Sequence, residues 1–551
     1  MVVTYQSKLL YARIATVSSI ASLIAGIAIL IYFDPVRHNE YIFGKLVLGP
    51  SSERTKDWIH SPAPVLVKFY FFDITNANEI DVKDHGEVVP SFVERGPYVY
   101  EEKQEKVEIA WNPNGTVSFH KNMTYHFRQD LSAGSDNDTL RLFNTLIVAI
   151  GNSYNNKWDA VDKYNYDHPE AEFSDKDGAL WINHQHIIPV HQVKDIIWGH
   201  SNNILDLLHR YVGVSKNEFP EVDGLFGFAG TNNTQSKEFE IFTGADRISV
   251  LGNILQWDKS KRLGHWKSDK CHSVSVSDGQ LFPPNINSNT KLRIFEPDLC
   301  RQLPLDFIEE RVHEGLPVYR FGVSDLLFDP DAPAGRCYCN KASSQRCGIK
   351  GAFSISNCKQ GYEGWPLLYS KPHFIHSHLF MLKGRQVAKS KRENHNSYYD
   401  IIPQLGIPVA SKVRMQINVE IDKSFASFYN NGLKDGSKIK SGIYPVFWFE
   451  RGYDTLPKHQ LSQIKSMLEW YISLRWGVGG TMLGLFLILA CVSIYLIQST
   501  GFYLMSTKEE NLDSGILFSD VDKAVEESDK KWPSITARIN KNLFGSKQNS
   551  N

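Results

Sequence analysis

Six of the seven cysteines crowd one stretch, as Cys271, Cys300, Cys337, Cys339, Cys347 and Cys358, and the seventh, Cys491, lies in an apolar run. Thiols in that pattern suit either disulfide formation in an oxidising compartment or binding of zinc by thiolates. The C-x-C step from Cys337 to Cys339 is shorter than the spacing usual in structural zinc sites. Three disulfides of open connectivity are therefore expected, and no metal. Four N-x-[ST] acceptors, at Asn114, Asn122, Asn137 and Asn232, point to N-glycosylation of a lumenal or extracellular body. Histidines cluster in WINHQHIIPVH (His184, His186, His191) and in PHFIHSH (His373, His376, His378), where alternation would set two imidazoles on one strand face. Neither cluster carries a carboxylate or thiol at ligand spacing, so structural or surface histidines are expected, titrating near about pH 6.5. HExxH, GxSxG, phosphate-loop and GxGxxG patterns are all missing, and neither a catalytic residue nor a cofactor is expected.

Disulfides and glycans need a body held across a membrane boundary, and two apolar runs supply one. Residues 14–33, IATVSSIASLIAGIAILIYF, carry no charge over the length a helix needs to cross a bilayer, and Lys8 and Arg13 precede them. Ala25 and Ala28 offer the alternative of a signal-peptide cleavage site, but the run exceeds the roughly 7 to 15 residues of a signal core. The second run follows Arg475 and has its span at 477–497; a polar segment after it excludes a lipid-anchor signal. The organisation expected is a cytoplasmic N-terminus (1–13), a span (14–33), an ectodomain (34–474), a second span (477–497) and a cytoplasmic tail (508–551). Small residues recur every fourth position as Ser18, Ser22 and Gly26 and as Gly480 and Gly484, which suits either packing of the two spans together or homo-oligomerisation.

Across 551 residues, 60 Lys+Arg balance 61 Asp+Glu for a formal net charge of -1, which leaves no electrostatic footprint for nucleic acid. The ectodomain reads as strands: Val65–Ile74, Tyr98–Glu102, Val117–Phe127, FEIFTG, VYRFGV, Val413–Ile421 and Tyr444–Glu450, all β-branched and aromatic. Helices are expected at Leu140–Ile150, Val190–Leu208 and Leu461–Leu474, the last amphipathic and leading into the second span. The fold class is α+β, a largely antiparallel β body with a helical subregion near 140–210.

These features together resemble a known family, the class B scavenger receptors, which includes the platelet fatty acid translocase, the high-density-lipoprotein receptor, the type II lysosomal integral membrane protein, croquemort and the sensory neuron membrane proteins. The resemblance rests on the two-span layout and on motifs in order: FFDITNANEI (71–80), ERGPYVY (94–100), IIWGH (196–200), FTGADRIS (242–249), GQLFPP (279–284), LPVYRF (316–321), KPHF (371–374) and YYDIIPQLG (398–406). It implies disulfides Cys271 with Cys337, Cys300 with Cys358 and Cys339 with Cys347. It also implies a β-barrel-like ectodomain, a helical apex at about 140–209 and an internal apolar tunnel. The ligand candidates at that apex are Phe143, Ile147, Lys157, Trp158, Lys163, Ile196 and Ile197.

The function implied is a plasma-membrane receptor, both termini cytoplasmic, that binds and transfers lipids, lipoproteins or lipid-bearing particles without making or breaking a bond. The alternatives are a lysosomal or endosomal receptor carrying a soluble protein at its apex, and a sensory co-receptor for lipid-like odorants. Residues 157–177 are net acidic, unlike the cationic face that anionic particles require. In the tail, Asp513, Ile516 and Leu517 form a D-x-x-I-L string of the kind sorting adaptors read.

Overall fold

The computed structural model describes residues 2–32, 35–61, 63–80, 88–152, 187–200, 228–264, 266, 268–338, 348–355, 366–377, 395–422 and 439–513. The chain forms two compact units, Met1–His38 with Leu468–Asn551, and Asn39–Met467.

The first unit is built on two long helices, Val2–Tyr32 and Gly479–Asp513, whose apolar stretches Ser7–Ile31 and Trp476–Gly501 are each long enough to cross a bilayer. Ala12, Ala15, Ser19, Ser22 and Gly26 are buried at alternating three- and four-residue steps, which makes one narrow seam along the first helix. The second helix lies in that seam. Thr16 Oγ1 sits 2.5 Å from Ser493 Oγ, Ser19 Oγ donates to the Phe486 carbonyl at 3.4 Å, and a Cβ on Gly26 would stand 3.2 Å from Leu483. The two spans therefore pack on each other through small residues. Gly480 and Gly484 lie off the seam, with nothing within 4 Å of an added Cβ.

The second unit is dominated by antiparallel sheet. Its strands are β1 (Val65–Ile74), β2 (Phe92–Asn112), β3 (Thr116–Phe127), β4 (Thr139–Arg141), β5 (Val190–Gln192), β6 (Thr234–Gln235), β7 (Phe239–Phe242), β8 (Ile254–Trp257) and β9 (Leu292–Glu296). They continue as β10 (Arg301–His313), β11 (Leu316–Val323), β12 (Gly348–Ile349), β13 (Ala352–Ser354), β14 (Leu367–Ser370), β15 (Tyr398–Ile402), β16 (Ile407–Ile421) and β17 (Gly442–Tyr453). One 15-stranded sheet runs in the order β8-β7-β3-β2-β1-β17-β16-β15-β11-β10-β9, with β6 and β12–β14 branching from it, while β4 and β5 pair separately. Every segment expected as strand lies within one of these except FEIFTG, which is strand only over Phe239–Phe242 and turns at Gly244 with φ of +84°.

The sheet curls but does not close. Among the described residues no ladder joins the edge strands β8 and β9; Ser277 instead bridges both Asn253, beside β8, and Ile294 in β9. Trp257 and Phe295 meet edge-on across that seam at 5.5 Å.

The central strands show how alternation becomes a two-faced wall. In β1, Val67, Phe69 and Phe71 are fully buried on one face and register against Arg451, Phe449 and Phe447 of β17. The opposite face carries Tyr70 stacked on Trp448 at 3.9 Å and Lys68 bonded to Glu450 at 3.1 Å. Each fully buried phenylalanine contributes on the order of 2 to 3 kcal/mol of transfer free energy.

Two expected helices begin later in the structure, and 201–208 of the second lie outside the described residues. Residues 139–141 are strand, and the helix occupies Thr145–Asn152, because Asn144 Oδ1 accepts from the Ile147 amide at 3.1 Å and caps the helix there. Likewise 190–192 form β5, and the helix Val193–Trp198 stops at Gly199, whose φ of +93° no other residue adopts readily. The helix expected at 461–474 spans Lys458–Ser473.

Candidate functional site: two cavities and an aromatic interior

The helices Thr145–Asn152 and Val193–Trp198 with β4 and β5 form a small cap on the sheet, placed by short bonds to it. The Arg141 amide donates to Asp73 Oδ1 at 2.9 Å, and Tyr98 donates its hydroxyl to Asp138 Oδ2 at 3.2 Å. Phe143, Ile147, Ile196 and Ile197 all face inward and belong to the main hydrophobic core. They anchor the cap. Phe143 and Ile196 also line a cavity of about 60 Å³ with Leu140, Leu142, His191 and Val446. Lys157, Trp158 and Lys163, with the acidic stretch 157–177, lie outside the described residues.

Below the cap, rings on the inner face form a column. Phe71 and Phe447 are 6.2 Å apart, Phe69 and Phe449 6.2 Å, and Phe228 meets Phe69 at 4.8 Å and Phe449 at 5.1 Å. Tyr100 adds an edge to Phe69 at 6.0 Å. The column exists because three strands each contribute alternate aromatic residues in matching register.

At the other end of β1 and β17 the same face turns polar around a cavity of about 180 Å³. Glu102, Gln104 and Lys106 continue the inner face of β2 below Tyr100, and Lys106 stands directly across from Lys121 of β3. Arg451 grips Glu102 through two bonds of 2.7 and 2.6 Å, and Lys121 pairs with Asp278 at 3.0 Å. Glu102 outweighs the effect of burial and holds the Arg451 guanidinium well above its ordinary value. Burial raises the Asp278 carboxyl, but Lys121 and Lys106 overcome it and hold the group below the usual range. Lys106 has only neutral acceptors, the Trp58 carbonyl and Gln280 Oε1 at 2.8 Å; burial, and then Lys121, push it down to about 7. Arg54, in the helix Glu53–Ile59, lines the cavity with no hydrogen bond or ion pair to any described residue. Of these cavity residues only Gln280, in GQLFPP, falls in a motif read from the sequence; the other trace is the polar alternation Glu102, Gln104, Lys106.

Among the described residues, His373 and His376 do not share a strand face. His373, Phe374 and His376 all have positive φ, which turns Pro372–Phe374 into a tight coil. His373 is buried, its Nε2 is 2.9 Å from Glu94, and its ring lies 4.4 Å from His395. Burial, and then His373, lower His395 to about 4. His376 pairs with Asp325 at 3.0 Å, and His191 lies 4.3 Å from His200. His184, His186 and His378 lie outside the described residues.

Cys271 and Cys337 are joined by a disulfide with Cα atoms 5.8 Å apart, and Cys300 is also disulfide-bonded. Cys339, Cys347 and Cys358 lie outside the described residues. Asn114, Asn137 and Asn232 are exposed in turns, whereas Asn122 is half-buried in β3. Asp513 ends the last helix, with Ile516 and Leu517 beyond the described residues.

A family model described as CD36 family matches residues 17–497. The chain is 30% identical over 424 residues to Scavenger receptor class B member 1 of Mus musculus, covering 77% of each protein. It is 29% identical over 462 residues to the same-named protein of Rattus norvegicus, 83% of this chain and 84% of that one. Over 429 residues it is 29% identical to Lysosome membrane protein 2 of Homo sapiens, 77% of this chain and 82% of that one. With the match running from inside the first apolar helix, across the whole sheet, to inside the second, the chain belongs to the CD36 family.

Proposed function

We propose that the protein is a two-span membrane receptor of the class B scavenger type, both termini cytoplasmic, that takes lipid from lipoproteins or lipid-bearing particles. Lipid enters at the apical cap and passes along the sheet interior toward the bilayer. The observation that supports this reading is the buried aromatic column between the two cavities, which would give an acyl chain an apolar path along the strands. Such a path spares an acyl chain about 0.8 kcal/mol of water exposure per CH₂. No bond is made or broken, in keeping with relatives named as receptors and membrane proteins. The three disulfides and four glycans proposed here stabilise the exposed body.

The test is transfer of a fluorescent cholesteryl ester from lipoprotein to cells expressing the full chain, scored beside surface biotinylation. Transfer above that of cells without the chain is expected, and none, with normal surface display, refutes the reading. The likeness to Lysosome membrane protein 2 favours a second one, a lysosomal receptor for a soluble protein. Residence in lysosomes without surface display would support it.

A further inference from the structure

We propose that the cavity beside the helix Glu53–Ile59 is a binding site for a compact oxyanion, a phosphate or carboxylate group of headgroup size, with Arg54 as its principal ligand. A guanidinium carries five donors in a fixed fork, and buried polar groups in folded proteins are paired almost without exception. The Arg54 Nε is sealed from solvent without a partner, and burial holds the group below its ordinary value. Asp57, one turn on and lining the same cavity, opposes that effect through its charge but makes no ion pair with Arg54.

The remaining charges on the wall do not answer Arg54, because they answer each other. Glu102 is committed to Arg451 and Asp278 to Lys121. Lys106, behind the wall, is held by the Trp58 carbonyl and Gln280, two cavity-lining residues that bring no charge. The charged residues lining the cavity balance, Arg54, Lys121 and Arg451 against Asp57, Glu102 and Asp278, so what the site lacks is an acceptor for Arg54. An oxyanion would supply that missing acceptor in the bidentate geometry that guanidinium favours.

Size and position narrow the ligand. About 180 Å³ is the share of some six water molecules, enough for a headgroup and below the roughly 300 Å³ at which whole-ligand pockets begin. Arg451, which lines the cavity and pairs with Val67, is one inner-face step from Phe449 and its partner Phe69. An anion seated on Arg54 can therefore trail an alkyl chain along the aromatic column.

The experiment uses the full-length protein in uncharged maltoside micelles, with dodecyl phosphate, dodecanol and inorganic phosphate as probes, read by calorimetric titration. Dodecyl phosphate is expected to bind at least about tenfold more tightly than dodecanol, a charge-assisted contact's worth. Arg54→Gln should abolish that difference without changing dodecanol binding, and Arg54→Lys should keep part of it. Competition by inorganic phosphate would identify a free-anion site. Tight dodecyl phosphate binding without such competition would identify a headgroup site. Equal binding of the two amphiphiles to the unaltered protein, which needs no variant, overturns the proposal. So does undiminished dodecyl phosphate binding by a folded Arg54→Gln protein.

Discussion

Replacing Lys106 by Met should change how stability depends on pH, by an amount the structure sets. Burial and the facing Lys121 bring the Lys106 ammonium from the ordinary 10.5 down to about 7. At about 1.4 kcal/mol per unit, carrying this lysine costs the fold about 5 kcal/mol when it is protonated. The sign follows from proton counts. Between pH 7 and 10.5 the unfolded chain holds this proton and the folded chain largely does not, so raising pH favours folding. The cost is fully present below pH 7 and is relieved above it. From pH 7 to pH 9 the native protein should gain about 2 kcal/mol relative to Lys106→Met. A unit spanning Asn39–Met467 unfolds with an entropy near 0.9 kcal/mol/K, so the gain appears as about 2 °C in Tm. The variant also strands two acceptors, the Trp58 carbonyl and Gln280, but that offset does not vary with pH. Thermal denaturation of both full-length proteins in phosphate-free buffers from pH 6 to 9 measures the difference. Parallel Tm profiles would show that Lys106 is not desolvated and refute the reasoning.

Other residues give equally direct tests. Glu450 binds Arg414, Lys68 and Lys412, whose charges together outweigh burial and lower its carboxyl. Glu450→Gln should cost about 3 to 5 kcal/mol and flatten the loss of stability as pH falls below the ordinary 4.5, both visible in thermal melts. Gly406 has φ +68°, and a Cβ there would stand 2.1 Å from the Phe282 carbonyl oxygen, so Gly406→Ala should sharply lower Tm and surface display. In the membrane unit, cysteines placed at Thr16 and Ser493 should crosslink within one chain, and adding Gly26→Leu should reduce the yield, read on non-reducing gels. Asn114→Gln, Asn137→Gln and Asn232→Gln should each remove one glycan's worth of gel mobility shift.

Much of the fold is legible in the residues because its signals are local. An uncharged run from Ile14 to Phe33 admits few structures other than a spanning helix, and the alternation of Val67, Phe69 and Phe71 with Lys68 and Tyr70 assigns two faces to one strand. Local signals also mislead where a single side chain ends an element. Leu140–Ile150 has helical spacing throughout, yet the cap by Asn144 and the pairing of Leu140 with His191 hand its first residues to a strand.

The sequence by itself determined the two spans, the antiparallel strand-rich body between them and the motifs that place the chain in its family. These depend on composition and spacing within single segments. The polar cavity was decided by tertiary structure alone. Arg54, Glu102, Lys106, Asp278 and Arg451 are scattered over nearly four hundred positions, and each sits in a segment unremarkable in itself. Only the strand registers Val67 with Arg451 and Lys106 with Lys121 bring them to one wall. A one-residue slip in either would turn those charges to the opposite face, so the chemistry of this site belongs to the register and not to any stretch of sequence.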